Sequence, residues 1–155
     1  MRIRDILRRK GDAVATVRPE ATVRQLLAVL AEHNIGAVVV SPDGASIAGI
    51  ASERDVVRRL HEHGAALLDR PVSEIMTSEV RSCGPADKVD DLRQAMTEHR
   101  FRHVPVVDGG RLAGIVSIGD VVKSAIDELE SEREHLVDYI QRAPSPGRTQ
   151  AGGQT

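Results

Sequence analysis

Two rhythms of apolar residues run along this chain, and each occurs twice. Residues 35–40 and 103–107 are short β-branched runs of the length of a buried strand. Each leads through turn-forming residues into a second apolar run, 47–51 and 112–116, which reads as a hairpin partner. The helical rhythm lies just ahead. Val23, Leu26, Leu27 and Leu30 form one stripe of a helix opened by Thr22, and residues 87–99 form its counterpart. Ser52 stands at the cap of a further helix that runs to about His63 and stops at Gly64, and Ser117 caps another. Residues 13–17 and 80–82 read as short strands, 72–76 as a helical turn mirroring one at Ile3, Ile6 and Leu7, and 65–71 as a connector. Residues 124–141 continue as an acidic helix with apolar positions Ile126, Leu129, Leu136, Val137 and Ile140. Residues 142–155, rich in Pro, Gly, Ser, Gln and Thr, are expected to be a disordered tail.

The pattern recurs because the sequence does. Ala48-Gly49-Ile50-Ala51-Ser52-Glu53-Arg54-Asp55-Val56-Val57 returns as Ala113-Gly114-Ile115-Val116-Ser117-Ile118-Gly119-Asp120-Val121-Val122, 65 residues later, with seven of ten positions identical. Upstream, Pro19, Val23, Leu26, Glu32, His33, Val38 and Val40 match Pro85, Val89, Leu92, Glu98, His99, Val104 and Val106 at a shift of 66. The shift changes where Ser41-Pro42-Asp43-Gly44 faces the shorter Asp108-Gly109-Gly110, as expected of a duplication with one altered hairpin loop. A βαββα unit of this size cannot bury its own apolar face, so it must pair with its copy across a pseudo-twofold cleft. The expected division is repeat 1 at 1–64, connector at 65–71, repeat 2 at 72–123, helix at 124–141 and tail at 142–155, in an α+β fold.

Composition narrows the chemistry. With one Tyr, one Phe and no Trp, the core must be Val, Leu, Ile and Ala. A net charge of −2 and the lack of stacking aromatics argue against nucleic acid. The single Cys83 excludes a disulfide framework and reads as a buried structural thiol; a reducing, cytoplasmic setting is expected. No apolar run reaches membrane-spanning length, so no membrane partner is expected. His61 and His63 lack further ligands at metal spacing, and no nucleophile–base pair or Gly-rich phosphate loop stands out. No metal and no enzyme activity are expected.

Two clusters remain as candidates. Ser52 with Asp55, and Ser117 with Asp120, have capping-box spacing, in which Ser accepts from the third amide and the acid reaches back. Each also sits at a strand-to-helix corner, where free amides and the dipole suit a phosphate and a carboxylate can accept from a ribose diol. The two roles are compatible for Ser. Arg100-Phe101-Arg102-His103 reads either as a solvated basic edge or as a phosphate clamp. Its counterpart in the first copy is Asn34-Ile35-Gly36-Ala37, so the two pockets of the cleft should differ.

With "HNIGAVVV" and "HRFRHVPVV" before the hairpins and "GIASERDVV" and "GIVSIGDVV" after them, residues 1–123 resemble a tandem pair of cystathionine-β-synthase (CBS) domains of the stand-alone type, a Bateman module. The resemblance implies two repeats packed sheet to sheet and a homodimer of such pairs. It also implies a non-catalytic regulatory role: binding of AMP first, with ATP or NAD(H) as further regulatory ligands, and signalling to an unidentified protein in trans. No cofactor is required. One pocket is expected to hold Ser117 and Asp120 with Thr16, Ile35, Gly36 and Ala37, and with Arg102 and His103 toward phosphate. The other is expected to hold Ser52, Arg54 and Asp55 with Ser82 and Phe101. The Asp120 pocket ranks as the stronger AMP site. A ligand-free scaffold docking through the C-terminal helix is the alternative.

Overall fold

Local chemistry sets most element boundaries in the computed structural model, which describes residues 1–11 and 14–142. Helix α1 (Ile3–Lys10) starts where the Arg2 amide donates to Asp5 Oδ2 at 2.8 Å. Strand β1 (Thr16–Val17) precedes α2 (Val23–His33). There Thr22 Oγ1 accepts from the Gln25 amide at 3.2 Å and Gln25 Oε1 accepts from the Thr22 amide at 2.9 Å. The helix ends at Asn34, in the left-handed region at φ 52°. Strands β2 (Ala37–Val40) and β3 (Gly49–Ser52) lead into α3 (Glu53–His63). Two 3-10 helices, Gly64–Asp69 and Val72–Glu74, carry the chain across to α4 (Val89–His99), β4 (His103–Asp108), β5 (Arg111–Ser117) and α5 (Ile118–Arg142).

The first sheet has the order β1-β2-β3. β1 runs parallel to β2 (Thr16 beside Val39), and β2 antiparallel to β3 (Ala37 beside Ser52, Val40 beside Gly49). The second pairs β4 with β5 (His103 beside Ser117), and a single parallel bridge joins Cys83 to Val106. The chain divides into two units, one of Met1–Ile118 and one from Gly119 onward.

Four expectations change. The strand read at 35–40 begins only at Ala37, because the Ile35 amide still donates to the Leu30 carbonyl at 3.0 Å as part of the α2 terminus. The strand read at 80–82 is reduced to the Cys83 bridge one residue later. Gly84-Pro85 turns the chain away, and the Gly84 amide goes to Asp87 Oδ2 at 2.8 Å instead of to the sheet. The connector at 65–71 is largely 3-10 helix. The strand read at 13–17 is, among the described residues, only Thr16–Val17, whereas the acidic segment continues the last helix as expected, α5 running unbroken through Lys123 and Ser124. Ala13 and the tail from residue 143 lie outside the described residues.

The repeats exchange their opening segments. Ile3 and Arg4 donate backbone hydrogen bonds to Asp87 and Pro85 of the second repeat, at 3.0 and 2.9 Å. In return Val72 and Ser73 donate to Ala21 and Pro19 of the first, at 2.7 and 2.9 Å. The bridges Arg2–Lys88 and Thr22–Pro71 complete this reciprocal pattern. Apolar packing follows it: Val72 and Ile75 are buried in the cluster built by Val17, Val23, Leu26, Val38, Val40 and Ala51. Burying each such side chain is worth about 1.5–3 kcal/mol. A further tie joins the two hairpins. Asp43 Oδ1 accepts from the Ala45 and Ser46 amides at 2.9 and 2.8 Å, and the Ala45 carbonyl so presented accepts from Leu112 at 2.8 Å. These bonds hold the Asp43 carboxyl well below the usual carboxylate range.

Close approach in the exchange requires the two repeated glycines. A Cβ on Gly49 would lie 2.6 Å from the Thr77 carbonyl oxygen and 2.9 Å from Met76 Sδ. A Cβ on Gly114 would lie 2.6 Å from Leu7 Cδ2, the movable end of a side chain. Gly49→Ala should therefore cost about 1–3 kcal/mol of unfolding free energy, and Gly114→Ala about 1 kcal/mol or less, in urea titrations of the two variants. Equal losses would contradict the backbone contact as the difference.

Cys83 is partly buried, with Sγ 3.7 Å from the Pro105 carbonyl oxygen. Burial, and secondarily the Asp87 carboxylate, push its thiol up to about 12. At pH 8 the folded chain should react with a disulfide reagent at least about tenfold more slowly than the urea-unfolded chain. Because the unfolded thiol ionises first, this site withdraws stability as pH rises above about 9.

Candidate functional site

The corner between β3 and α3 is built by Ser52 and Asp55. The Ser52 amide and hydroxyl both donate to Asp55 Oδ2 at 2.9 Å, and Ser52 Oγ accepts from the Asp55 amide at 3.3 Å. The capping role is thus realised. Both described bonds to the carboxylate go to Oδ2; among the described residues Oδ1 takes none. The Glu53 amide donates to the Gly36 carbonyl at 3.0 Å, which fixes the start of β2 beside the helix N-terminus. The second repeat repeats that join, the Ile118 amide donating to Arg102 at 2.8 Å. Equivalent backbone positions therefore carry Gly36 in one copy and Arg102 in the other.

In front of this corner lies a cleft of about 760 Å³, within the range of small-molecule sites. Ser52, Arg54, Asp55 and Arg58 form one wall from the first repeat. The opposite wall comes from the second repeat, through Thr77, Glu79, Arg81 and Arg100 to His103. The exchange puts it there: Thr77 exchanges two backbone hydrogen bonds with Ile50, at 3.0 and 2.8 Å, so the segment after it crosses the mouth of α3. Five arginines face three carboxylates (Glu53, Asp55, Glu79), so the cleft is net cationic in a chain whose net charge is −2. Phe101, the single phenylalanine, gives the cleft a flat apolar wall. It is held parallel to His99, with centroids 6.1 Å apart, and the Arg81 guanidinium carbon is 5.8 Å from its centroid. These are contacts of stacking and cation–π type.

Of the residues singled out from the sequence, Ser52, Arg54, Asp55, Gly36, Phe101, Arg102 and His103 meet in this cleft. Gly36, Arg102 and His103 are the ones expected beside Asp120. Thr16, Ile35, Ala37, Ser82 and Ser117 do not line it. Ala37 is buried beside Ser52 in the sheet, Ile35 packs against the first core and Ser82 is exposed. Asp120 lies in the first turn of α5, in the unit from Gly119. Sequence reading missed Arg58, Thr77, Glu79 and Arg81. Arg58 had a signal, since it lies one turn beyond Arg54 on the face that carries Asp55. The others had none, because only the crossing at Ile50 and Thr77 brings them here. Among the described residues no group of three His, Cys, Asp or Glu is arranged to hold a metal, and no helix is long and apolar enough to cross a membrane.

The comparisons agree with this architecture. The CBS domain family matches residues 3–62 and 72–127, and the chain belongs to it. A mitochondrial CBS domain-containing protein of Arabidopsis thaliana, CBSX3, is 35% identical over 147 residues, spanning 90% of this chain and 71% of that one. The crystal structure of ATU1752 from Agrobacterium tumefaciens is 46% identical, with a TM-score of 0.77, over 81% of this chain and 99% of that one. PAE2072 from Pyrobaculum aerophilum, solved as a complex with AMP, is 28% identical, with a TM-score of 0.68, over 77% of this chain and 89% of that one. The tandem repeat and the α+β class read from the sequence are those of these proteins.

Arg100 closes α4 in the left-handed region at φ 58°, where the first repeat has Asn34. Asn tolerates that conformation better than a long side chain does. Arg100→Asn should therefore raise unfolding free energy by about 0.5–1 kcal/mol. An unchanged or lowered melting midpoint would contradict a conformational cost at this position.

Proposed function

We propose that this chain is a non-catalytic regulatory module that binds an adenosine-containing nucleotide in the cleft between its repeats, AMP first, with ATP and NAD(H) as further ligands. The observation that carries the reading is the cationic inter-repeat cleft with a half-engaged carboxylate at its corner. Asp55 Oδ1 would accept from the ribose hydroxyls, a task for an acceptor-only group. Arg54, Arg58, Arg100 and Arg102 would meet the phosphate, with guanidinium forks suited to its oxygens. Phe101 would face the base. The AMP complex of PAE2072 supports the choice of ligand class. The recurrence of the motif at Ser117 and Asp120 is the second candidate site that the duplication offers. Binding across two repeats would couple occupancy to their mutual geometry, and so to a protein partner acted on in trans. A cytoplasmic homodimer is the setting this reading assumes.

Calorimetry with AMP, ATP, NAD(H) and S-adenosylmethionine tests it. Arg58→Gln, which leaves the Ser52–Asp55 cap intact, should weaken binding by about tenfold, as expected for one charge-assisted hydrogen bond. Asp55→Ala should weaken it at least as much while also costing about 1 kcal/mol of stability through the lost cap. Arg100→Asn should weaken binding although it stabilises the fold. No heat with any of the four nucleotides would sink the proposal.

A further inference from the structure

Helix α5 carries an apolar stripe that the chain leaves exposed: Leu129 is 65% exposed, Leu136 63% and Ile140 71%. Its spacing is informative. From Val122 the positions run to Ile126, Leu129, Arg133, Leu136 and Ile140, in alternating steps of four and three residues. That is the seam of a coiled coil, whose repeat averages 3.5 residues. With Ile126, Arg133 and Ile140 at a and Val122, Leu129 and Leu136 at d, the outer positions hold Asp127, Glu128, Ser131, Glu134, His135 and Asp138. The acidic character of the segment thus falls outside the seam.

The occupant can be specified from the same residues. Isoleucine at a with leucine at d favours two parallel strands. In that arrangement the flanking positions set Ala125 opposite Glu130 and Glu132 opposite Val137, so no like charges meet. An antiparallel pair with the same seam would set Glu130 against Glu130 and Glu132 against Glu132. Arg133, at a, is then adjacent to Glu132 of the other strand. Among the described residues neither takes an ion pair within its own chain. A single charged residue at a is a device that sets register and strand number. We propose that α5 pairs with α5 of a second copy of this chain, as a parallel two-stranded coiled coil over residues 122–140 in which Arg133 sets the register. The proposal is independent of what the cleft binds.

Cysteine cross-linking of the full chain tests it, with the parent, carrying Cys83 alone, as background. Under mild oxidation Leu129→Cys should give at least about tenfold more disulfide-linked dimer than Ser131→Cys at an outer position, because only seam positions come within disulfide reach. Adding Leu136→Glu to Leu129→Cys should reduce that cross-linking severalfold. Equal cross-linking at 129 and 131, or indifference to Leu136→Glu, overturns the proposal. So does preferential linkage of Leu129→Cys to Arg133→Cys when the two variants are mixed, since that pairing belongs to antiparallel strands.

Discussion

The reciprocal exchange of opening segments is the constraint on which the first unit depends. Neither repeat completes its own core: Val72 and Ile75 of the second fill the apolar cluster of the first, and Ile3 and Arg4 bond to the turn ahead of α4. A unit of this size has too little interior to offset its own chain entropy. Lending a segment to the neighbour enlarges both interiors at once. The glycine at 49 makes the lending possible, because there the crossing segment brings backbone closer to the strand than a side chain allows, while the glycine at 114 meets only the movable end of Leu7. Their recurrence in the sequence reflects a packing need at two symmetry-related places.

The same crossing creates the cleft. Thr77 is held against Ile50, and the chain after it passes in front of the N-terminus of α3. That brings Arg81, and then Arg100 to His103, opposite Ser52 and Asp55. Stability and site are therefore two results of one topological act. The carboxylate at the corner shows the economy at smaller scale. One oxygen of Asp55 satisfies the amide and hydroxyl of Ser52 and orients the helix start, while the other takes no hydrogen bond among the described residues. Capping and ligand recognition are usually weighed as rivals for such a pair; here capping engages a single carboxylate oxygen.

The duplication is also a source of asymmetry. Backbone joins are conserved between copies, as in the bonds from Glu53 to Gly36 and from Ile118 to Arg102. Side chains at the same joins are not. Asn34 and Arg100 occupy the same left-handed corner, one comfortably and one at a conformational cost. The costly one contributes a guanidinium to the cleft. A residue kept against its local preference beside a cavity is where function commonly overrides stability.

Much of this was legible in the residue pattern. The helices at Val23–His33 and Glu53–His63, the caps at Thr22 and Ser52, the hairpins and the pairing of repeats follow from periodicity and short-range hydrogen bonding, which act over a few residues and leave a mark in the sequence. Asp55, Phe101, Arg102 and His103 could be named as candidates because their chemistry stands out against an aliphatic, nearly neutral background, and Arg54 only through the family resemblance. Which of them meet could not be read from the residue pattern; the resemblance grouped Ser52, Arg54 and Asp55 with Phe101 but set Gly36, Arg102 and His103 in the other pocket. The meeting of Gly36 with Arg102 and His103 across one cleft, and the presence of Thr77, Glu79 and Arg81, depend on where a crossing segment lands some 27 residues away in sequence. Local propensity carries no information at that range. Only the close contact of Gly49 with Thr77 and Met76, a matter of tertiary packing, decided it.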